Sequence, residues 1–289
     1  MIKSYTFAAD QPGPHVLFFG AVHGNEVCGP KAIERVLHEL DSGALKLTRG
    51  KIEFVPICNP KAYAADQRCI DRNLNRYFVP SEQPKVYEDY LTNILAKMLE
   101  NCDWFIDLHS TTAGGIPFAS IEGDDPEEGA LAAALGAQVL LYGWHEAYEA
   151  SGRVNPDPHE SMGTTAYARS HGAKGVLLEC GQHKADVSID AAYHAIHNAL
   201  RHIGMSEDKV TVPAVAKPRI IRTTRVVFRG QGGTFTEKWG NFSTVKAGQH
   251  LATHADGEQV IAPQDGFIIL PHADTPQGTE WFYFGVEDL

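Results

Sequence analysis

Long apolar runs are missing from this 289-residue sequence, and none approaches the roughly 20 residues that a membrane-spanning helix requires. The opening segment, M-I-K-S-Y-T-F-A-A-D, also lacks the apolar core of a signal peptide, so the expected location is cytoplasmic. Cysteine is sparse and scattered. Cys28, Cys58, Cys69, Cys102 and Cys180 form no C-x-x-C pair, which argues against a disulfide framework and fits a reducing compartment. Positive charge is short as well: 25 Lys and Arg stand against 36 Asp and Glu, a formal net charge of −11. That balance argues against a nucleic-acid surface and against anionic membranes, yet leaves room for a local arginine-lined pocket.

What is present is ordinary for a soluble globular chain, with 43% hydrophobic and 21% charged residues. The length suits one full α/β domain, expected over residues 1–206, and a smaller β-rich one over 207–289. The most informative stretch is F-F-G-A-V-H-G-N-E, residues 18–26. Residues 16–20 read as a buried strand and residues 29–40 as a helix with apolar positions at helical spacing. His23 and Glu26 therefore fall on a strand-to-helix turn, where open α/β sheets carry their chemistry. Imidazole nitrogen and carboxylate oxygen both ligate zinc, and catalytic zinc sites use three protein ligands. The third candidate is His109 in W-F-I-D-L-H-S-T-T, where the apolar run 104–108 ends. Glu179 in G-V-L-L-E-C-G follows another apolar run in the same way. The bland alternative is a hydrogen-bonded turn histidine, and the repeated placement after strand ends weighs against it. Asp107, two residues before His109, shares its strand face and is placed to orient the imidazole or to make a structural bond.

Residues 51–57 read as a strand, followed by a long polar loop carrying Q-R-C-I-D-R-N-L-N-R-Y-F, residues 67–78, with Arg68, Arg72 and Arg76 close together. Surface salt bridges would explain such arginines, but long irregular loops beside a site are more often functional. Residues 84–101 and 126–136 read as helices, 139–142 as a strand, and 164–171 as a short helix ending near Arg169. His159 and Glu160 lie in a loop expected over 155–162 and are further candidate ligands. A helix over 189–203 carries His194, His197 and His202, expected at its surface or end. Three of the cysteines read as small buried apolar residues, whereas Cys69 and Cys180 neighbour the candidate site.

The composition shifts over residues 206–218, and the remainder alternates in short runs between glycine and proline turns. Residues 245–269 resemble the barrel-sandwich fold of lipoyl and biotinyl carriers. The expected hairpin tip, Ala255-Asp256-Gly257-Glu258, has no lysine to acylate, which argues against a carrier role.

With G-A-V-H-G-N-E, N-L-N-R, D-L-H-S-T-T and L-E-C-G in this order, the chain resembles the aspartoacylase and succinylglutamate desuccinylase family. The resemblance covers nearly the whole chain. It implies a three-layer α/β/α mixed sheet of zinc-carboxypeptidase type with a smaller all-β C-terminal domain. It also implies one zinc ion per chain held by His23, Glu26 and His109, with Glu179 as general base. Arg68 matches the family arginine that faces the scissile carbonyl, Asn75 and Arg76 match the pair that binds a substrate carboxylate, and Arg169 matches another family arginine. Tyr283 matches the tyrosine that the C-terminal domain lends to the pocket. Two departures, Asn73 before L-N-R and the sequence Cys180-Gly181-Gln182-His183 after the base, fall where substrate choice is expected.

The expected activity is zinc-dependent hydrolysis of the amide bond of a small N-acyl amino acid, with no nucleic-acid or membrane partner. A homo-oligomer is compatible with the pattern. The rival within enzymes is a carboxypeptidase-like hydrolase of short peptides, whose terminal carboxylate Asn75 and Arg76 would hold equally well. A non-catalytic binding module is the rival from another class, and the survival of all three ligands with Glu179 argues against it.

Overall fold

The computed structural model describes residues 1–122, 125–152, 162–207 and 217–288. Its N-terminal part runs β1 Tyr5–Ala8, β2 His15–Gly20, α1 Cys28–Ser42, β3 Lys51–Val55, α2 Pro60–Ala64, α3 Tyr87–Leu99 and β4 Trp104–Thr111. Then come β5 Phe118–Ser120, α4 Pro126–Ala134, β6 Val139–Tyr142, α5 Trp144–Ala150, α6 Thr164–Ser170, β7 Lys174–Gln182 and α7 Asp186–His202. The C-terminal part is all strand: β8 Arg219–Phe228, β9 Gly233–Phe235, β10 Ser243–Val245, β11 His250–His254, β12 Gln259–Ile261, β13 Gly266–Ile269 and β14 Glu280–Glu287. Among the described residues, no helix is long and apolar enough to cross a membrane.

An 11-stranded sheet in the order β1-β3-β2-β4-β7-β5-β6-β8-β14-β13-β10 forms the frame. Its centre, β3-β2-β4-β7, is parallel. All six residues of β2 are buried, as expected of a parallel strand covered on both faces. The strand alternation divides that apolar run between two cores. Val16 and Phe18 pack with α1 and α7 on one face, and Leu17 and Phe19 pack with α3 and α6 on the other. This is the mixed α/β architecture expected from the pattern.

The C-terminal strands do not stand apart from this frame. β8 pairs in parallel with β6, from Val139↔Arg219 to Tyr142↔Arg222, so the large sheet continues through β8, β14, β13 and β10. A core of Phe118, Val139, Leu141, Ile221, Ile269 and Tyr283 spans the junction. Among the described residues, only β12-β11-β9 form a separate antiparallel sheet, packed through Trp281, Phe282 and Leu251.

Several local expectations need correction. β4 runs on past His109 to Thr111 rather than ending at His109, and Glu179 lies inside β7. The two residues face each other across the parallel pair, immediately before a register irregularity between His109 and Thr111. A bulge re-aims side chains at a strand end, and here it coincides with the candidate site. Residues 60–64 form a helix, α2, where a polar loop was expected. The signal was available in Asn59-Pro60: Asn59 accepts from the Ala62 backbone N–H at 3.3 Å, and proline takes the first helical position. His197 is buried, with Nε2 2.9 Å from Glu39, rather than on the surface of α7.

Candidate active site

The turn after β2 is locked by backbone. Ala21 adopts a left-handed conformation with φ of 46°, and the amide N–H groups of Cys58 and Asn59 donate to the carbonyls of Gly20 and Ala21. Gly24 then passes so close to α2 that a β-carbon on it would come within 2.1 Å of the Ala62 carbonyl carbon. Backbone cannot yield there as a flexible side chain would. Gly24→Ala is therefore expected to lower the denaturation midpoint by an amount equivalent to at least about 1–3 kcal/mol, read by denaturant titration against wild type. An unchanged midpoint would mean that the turn is not held against α2.

This turn brings the His23 and Glu26 side chains into contact. His23 Nδ1 lies 2.8 Å from Glu26 Oε1, and His109 Nδ1 lies 3.0 Å from Glu26 Oε2. One ligand atom from each of the three buried residues lies within 4.8 Å of the others. The far sides of both rings are also held: His23 Nε2 is 2.9 Å from Asn73 Oδ1, and His109 Nε2 is 3.0 Å from Asp107 Oδ2. Ligating histidines characteristically have such an outer partner. Two oriented imidazoles and a carboxylate fit the donor set of a divalent transition metal.

The charges around the triad point the same way. Burial and the Arg68 guanidinium push His23 down to about 4, so its imidazole is neutral at pH 7. Burial opposes the ionised forms of Glu26 and of His109, yet His23 and His109 keep Glu26 well below the usual carboxylate range, and Asp107 and Glu26 raise His109 well above its own. The two carboxylates around His109 thus favour a positive charge at its ring.

Glu179, opposite His109 on β7, is half-buried, and its Oε2 is shielded from solvent without a hydrogen-bond partner. Burial and the Glu26 carboxylate raise its pKa to about 8. An unpaired carboxyl oxygen beside a metal-ligand set is rare enough to require an explanation.

The arginine loop is drawn in by two anchors. Gly24 N–H donates to the Arg68 carbonyl at 3.1 Å, and the buried Glu88 of α3 accepts from the backbone of Ile70 at 2.8 Å, Asp71 at 3.1 Å and Arg72 at 3.4 Å. Arg68 Nη1 reaches Glu26 Oε1 at 3.3 Å. Arg72 is taken by Asp89. Asn75 Oδ1 accepts from the Thr164 N–H at 2.9 Å, and the Thr164 hydroxyl donates to Asp107 Oδ2 at 2.5 Å, tying the loop to the His109 side of the triad. Arg76 Nη1 donates to the Asn75 carbonyl at 2.8 Å, and the Tyr283 ring lies near enough to act on its charge.

Arg169 does not join them. Its Nε donates to Glu128 Oε1 at 2.8 Å and its Nη2 to the Gly175 carbonyl at 2.6 Å, at the opposite end of β7. His159 and Glu160 lie outside the described residues. Asn73 abuts the His23 ring. His183 is 9% exposed and has Nδ1 2.9 Å from Ser110 Oγ and Nε2 3.2 Å from Thr112 Oγ1, beside the strand end that carries His109. Glu88, Thr164, Tyr148 and Glu280 went unnoticed in the sequence; the acidic residue at the start of α3 was the one available signal, as a carboxylate suited to free loop N–H groups.

A His-Glu-His set beside an unpaired carboxylate, on the strand ends of a mixed α/β sheet, defines a candidate metal centre. The family follows from comparison with known proteins. Residues 12–203 match the Succinylglutamate desuccinylase/Aspartoacylase catalytic domain, and the protein belongs to that family. A probable aspartoacylase from Parasynechococcus marenigrum (strain WH8102) is 33% identical over 147 residues, 46% of either chain. One from Prochlorococcus marinus subsp. pastoris is 35% identical over 104 residues, 34% of either chain. The chain thus spans between a third and a half of the length of these curated relatives. Among solved structures, a succinylglutamate desuccinylase/aspartoacylase from Rhodobacter sphaeroides aligns with a TM-score of 0.77 at 19% identity, over 96% of this chain and 87% of that one. A succinylglutamate desuccinylase from Silicibacter sp. TM1040 gives 0.77 at 20%, over 100% and 89%. At these identities the likeness is one of fold.

Proposed function

We propose that the protein is a zinc-dependent hydrolase that cleaves the amide bond of a small N-acyl amino acid. The observation that carries this reading is the cluster of His23, Glu26 and His109, with Glu179 opposite His109 on the neighbouring strand and its Oε2 without a hydrogen-bond partner. His23, Glu26 and His109 would hold the metal. A zinc ion there supplies Lewis acidity and makes water acidic enough to ionise near neutral pH. Asn73 and Asp107 keep the two imidazoles turned toward that ion.

Glu179 Oε2 receives the proton of the attacking water and returns it to the departing amine, so the amide bond breaks to an amino acid and a carboxylic acid. Arg68 faces the carbonyl oxygen as it turns anionic, and a fixed donor at such a place is worth about 3–4 kcal/mol. Arg76, with Asn75 and Tyr283 beside it, holds the carboxylate of the amino-acid portion through its planar donors.

A hydrolysis screen of acetyl, succinyl and formyl amino acids with the zinc-loaded protein tests the reading. Release of free amine that stops on chelation and resumes with zinc is expected. Methyl esters of the best substrate are expected to react poorly, and Arg76→Lys to lower kcat/KM on the order of 10–100-fold, the worth of a hydrogen bond to a charged group. Cleavage of short peptides with no cleavage of acyl amino acids would overturn the assignment in favour of a carboxypeptidase.

A further inference from the structure

The segment after Glu179 does not leave β7 as a plain strand end. Pairing with β4 passes from His109↔Glu179 to Thr111↔Gln182, so Cys180 and Gly181 stand against Ser110 alone. Gly181, with φ of 128°, takes a conformation in this bulge that favours glycine. The chain then turns His183 back onto β4. Its backbone N–H donates to the Thr111 carbonyl at 3.2 Å, its Nδ1 lies 2.9 Å from Ser110 Oγ, and its Nε2 lies 3.2 Å from Thr112 Oγ1. Serine and threonine hydroxyls both donate and accept, so a neutral ring with one N–H can satisfy the two of them.

Side chains alternate along a strand, and Ser110 therefore points away from the face that carries His109. A ring that holds Ser110 from that side fixes the peptide joining the two residues. Both ends of that peptide are in use. Its N–H donates to Glu26 Oε2 at 2.9 Å, the same oxygen that lies 3.0 Å from His109 Nδ1, and its carbonyl accepts from Cys28 Sγ at 3.3 Å. His183 thus stands one residue from His109 and one hydrogen bond from the support of Glu26. Its second nitrogen serves Thr112, which is exposed.

We propose that His183 is a positioning residue of the metal centre: through Ser110 Oγ it holds the peptide between His109 and Ser110, and with it the Glu26 carboxylate, in the arrangement that receives the ion. Partners of a ligating carboxylate matter to metal affinity because they fix its orientation before the ion arrives. The bond to Thr112 carries no such load. This inference rests on His23, Glu26 and His109 as the metal ligands.

The two ring nitrogens can be tested separately. An asparagine amide ends at the reach of Nδ1 and a glutamine amide at that of Nε2, so His183→Asn keeps a partner for Ser110 and His183→Gln keeps one for Thr112. Zinc affinity of each metal-free protein is measured by chelator competition, and denaturation midpoints are read in parallel. His183→Gln and His183→Ala are expected to bind zinc about tenfold or more weakly than wild type, the lower end of the loss of an outer partner, and His183→Asn within about threefold. A ring that serves the fold alone would lower the midpoints and leave zinc affinity unchanged, which would overturn the proposal. An asparagine variant as weak as the glutamine one would overturn it as well. Should the His183 variants fail to fold, two others decide. Ser110→Ala removes the hydroxyl and keeps the N–H, and it is expected to weaken zinc binding about tenfold while Thr112→Val leaves it intact. Equal affinities in that pair would overturn the proposal. His109→Ala separates the two readings: if it loses zinc while the His183 variants show no order, the role of His183 fails and the metal site stands. If it keeps zinc like wild type, both fail. The expected order in a protein that cleaves no acyl amino acid ends the deacylase reading and leaves the role of His183 in place.

Discussion

The His109→Ala protein is expected to leave zinc loading and gel filtration with less than about a tenth of the metal that wild type retains, because two ligands cannot replace the three that catalytic sites use. Wild type is expected to retain about one ion per chain. The imidazole Nδ1 sits 3.0 Å from Glu26 Oε2, so its loss removes a donor and also strips Glu26 of one of the groups that keep it ionised. Asp107→Asn provides the graded comparison. Asp107 Oδ2 touches only the far side of the ring, at 3.0 Å, and the loss of such a partner typically costs about 10–100-fold in metal affinity. The order wild type, then Asp107→Asn, then His109→Ala is the expected ranking in a chelator competition. Both variants need circular dichroism to confirm the fold. Equal zinc in wild type and a folded His109→Ala protein would place the metal elsewhere.

The parts of the site that were legible in the sequence are those fixed by local pattern. An apolar run followed by His23 and Glu26 reads directly as a strand and a turn, and the alternation from Phe105 through Asp107 to His109 assigns one strand face. Both readings depend on periodicity alone. The end of β4 was misread because its last residues are polar, and a sequence cannot show that Ser110 N–H donates to Glu26 Oε2 at 2.9 Å. Pairing energy from a distant element extended the strand. The arginines illustrate the same limit. Arg68, Arg72, Arg76 and Arg169 are one residue type, yet Arg72 and Arg169 are claimed by Asp89 and Glu128, and only tertiary packing decides this. The C-terminal strands were readable as strands. Their continuation of the large sheet was not, because the β6–β8 pairing joins segments about 80 residues apart and carries no local signature.

The consequence for the chemistry is that the triad and Glu179 come from different strands and depend on one register. His109 faces Glu179 only while β4 and β7 keep their parallel alignment from Trp104↔Lys174 onward. Thr164 reinforces that alignment from the next helix, through Asp107 and Asn75. The arginine loop and the strand that carries His109 are thus coupled by a short hydrogen-bonded chain, and rigid support of this kind is what a site held to fractions of an ångström needs.

Glu179→Gln is expected to keep its zinc and its fold while turnover falls by about 10²–10⁴-fold, the range for loss of a general acid–base group. The amide has nearly the shape of the carboxyl group it replaces, so the packing around β7 is preserved. It has no oxygen able to take up a proton from water and pass it to an amine. The Oε2 of Glu179 is shielded and unpaired, so no protein hydrogen bond is lost at that atom, which separates this role from a structural one. A salt bridge from Arg169 is excluded as the reason for Glu179, since that arginine is held by Glu128 at the other end of the strand. Steady-state kinetics should show the loss in kcat and in kcat/KM together, the signature of an interaction made only in the transition state. Metal analysis of the same preparation must match wild type. Turnover within about tenfold of wild type would mean that another group moves the proton. Loss of zinc from a folded Glu179→Gln protein would mean that Glu179 is a fourth ligand and that His23, Glu26 and His109 do not hold the ion by themselves.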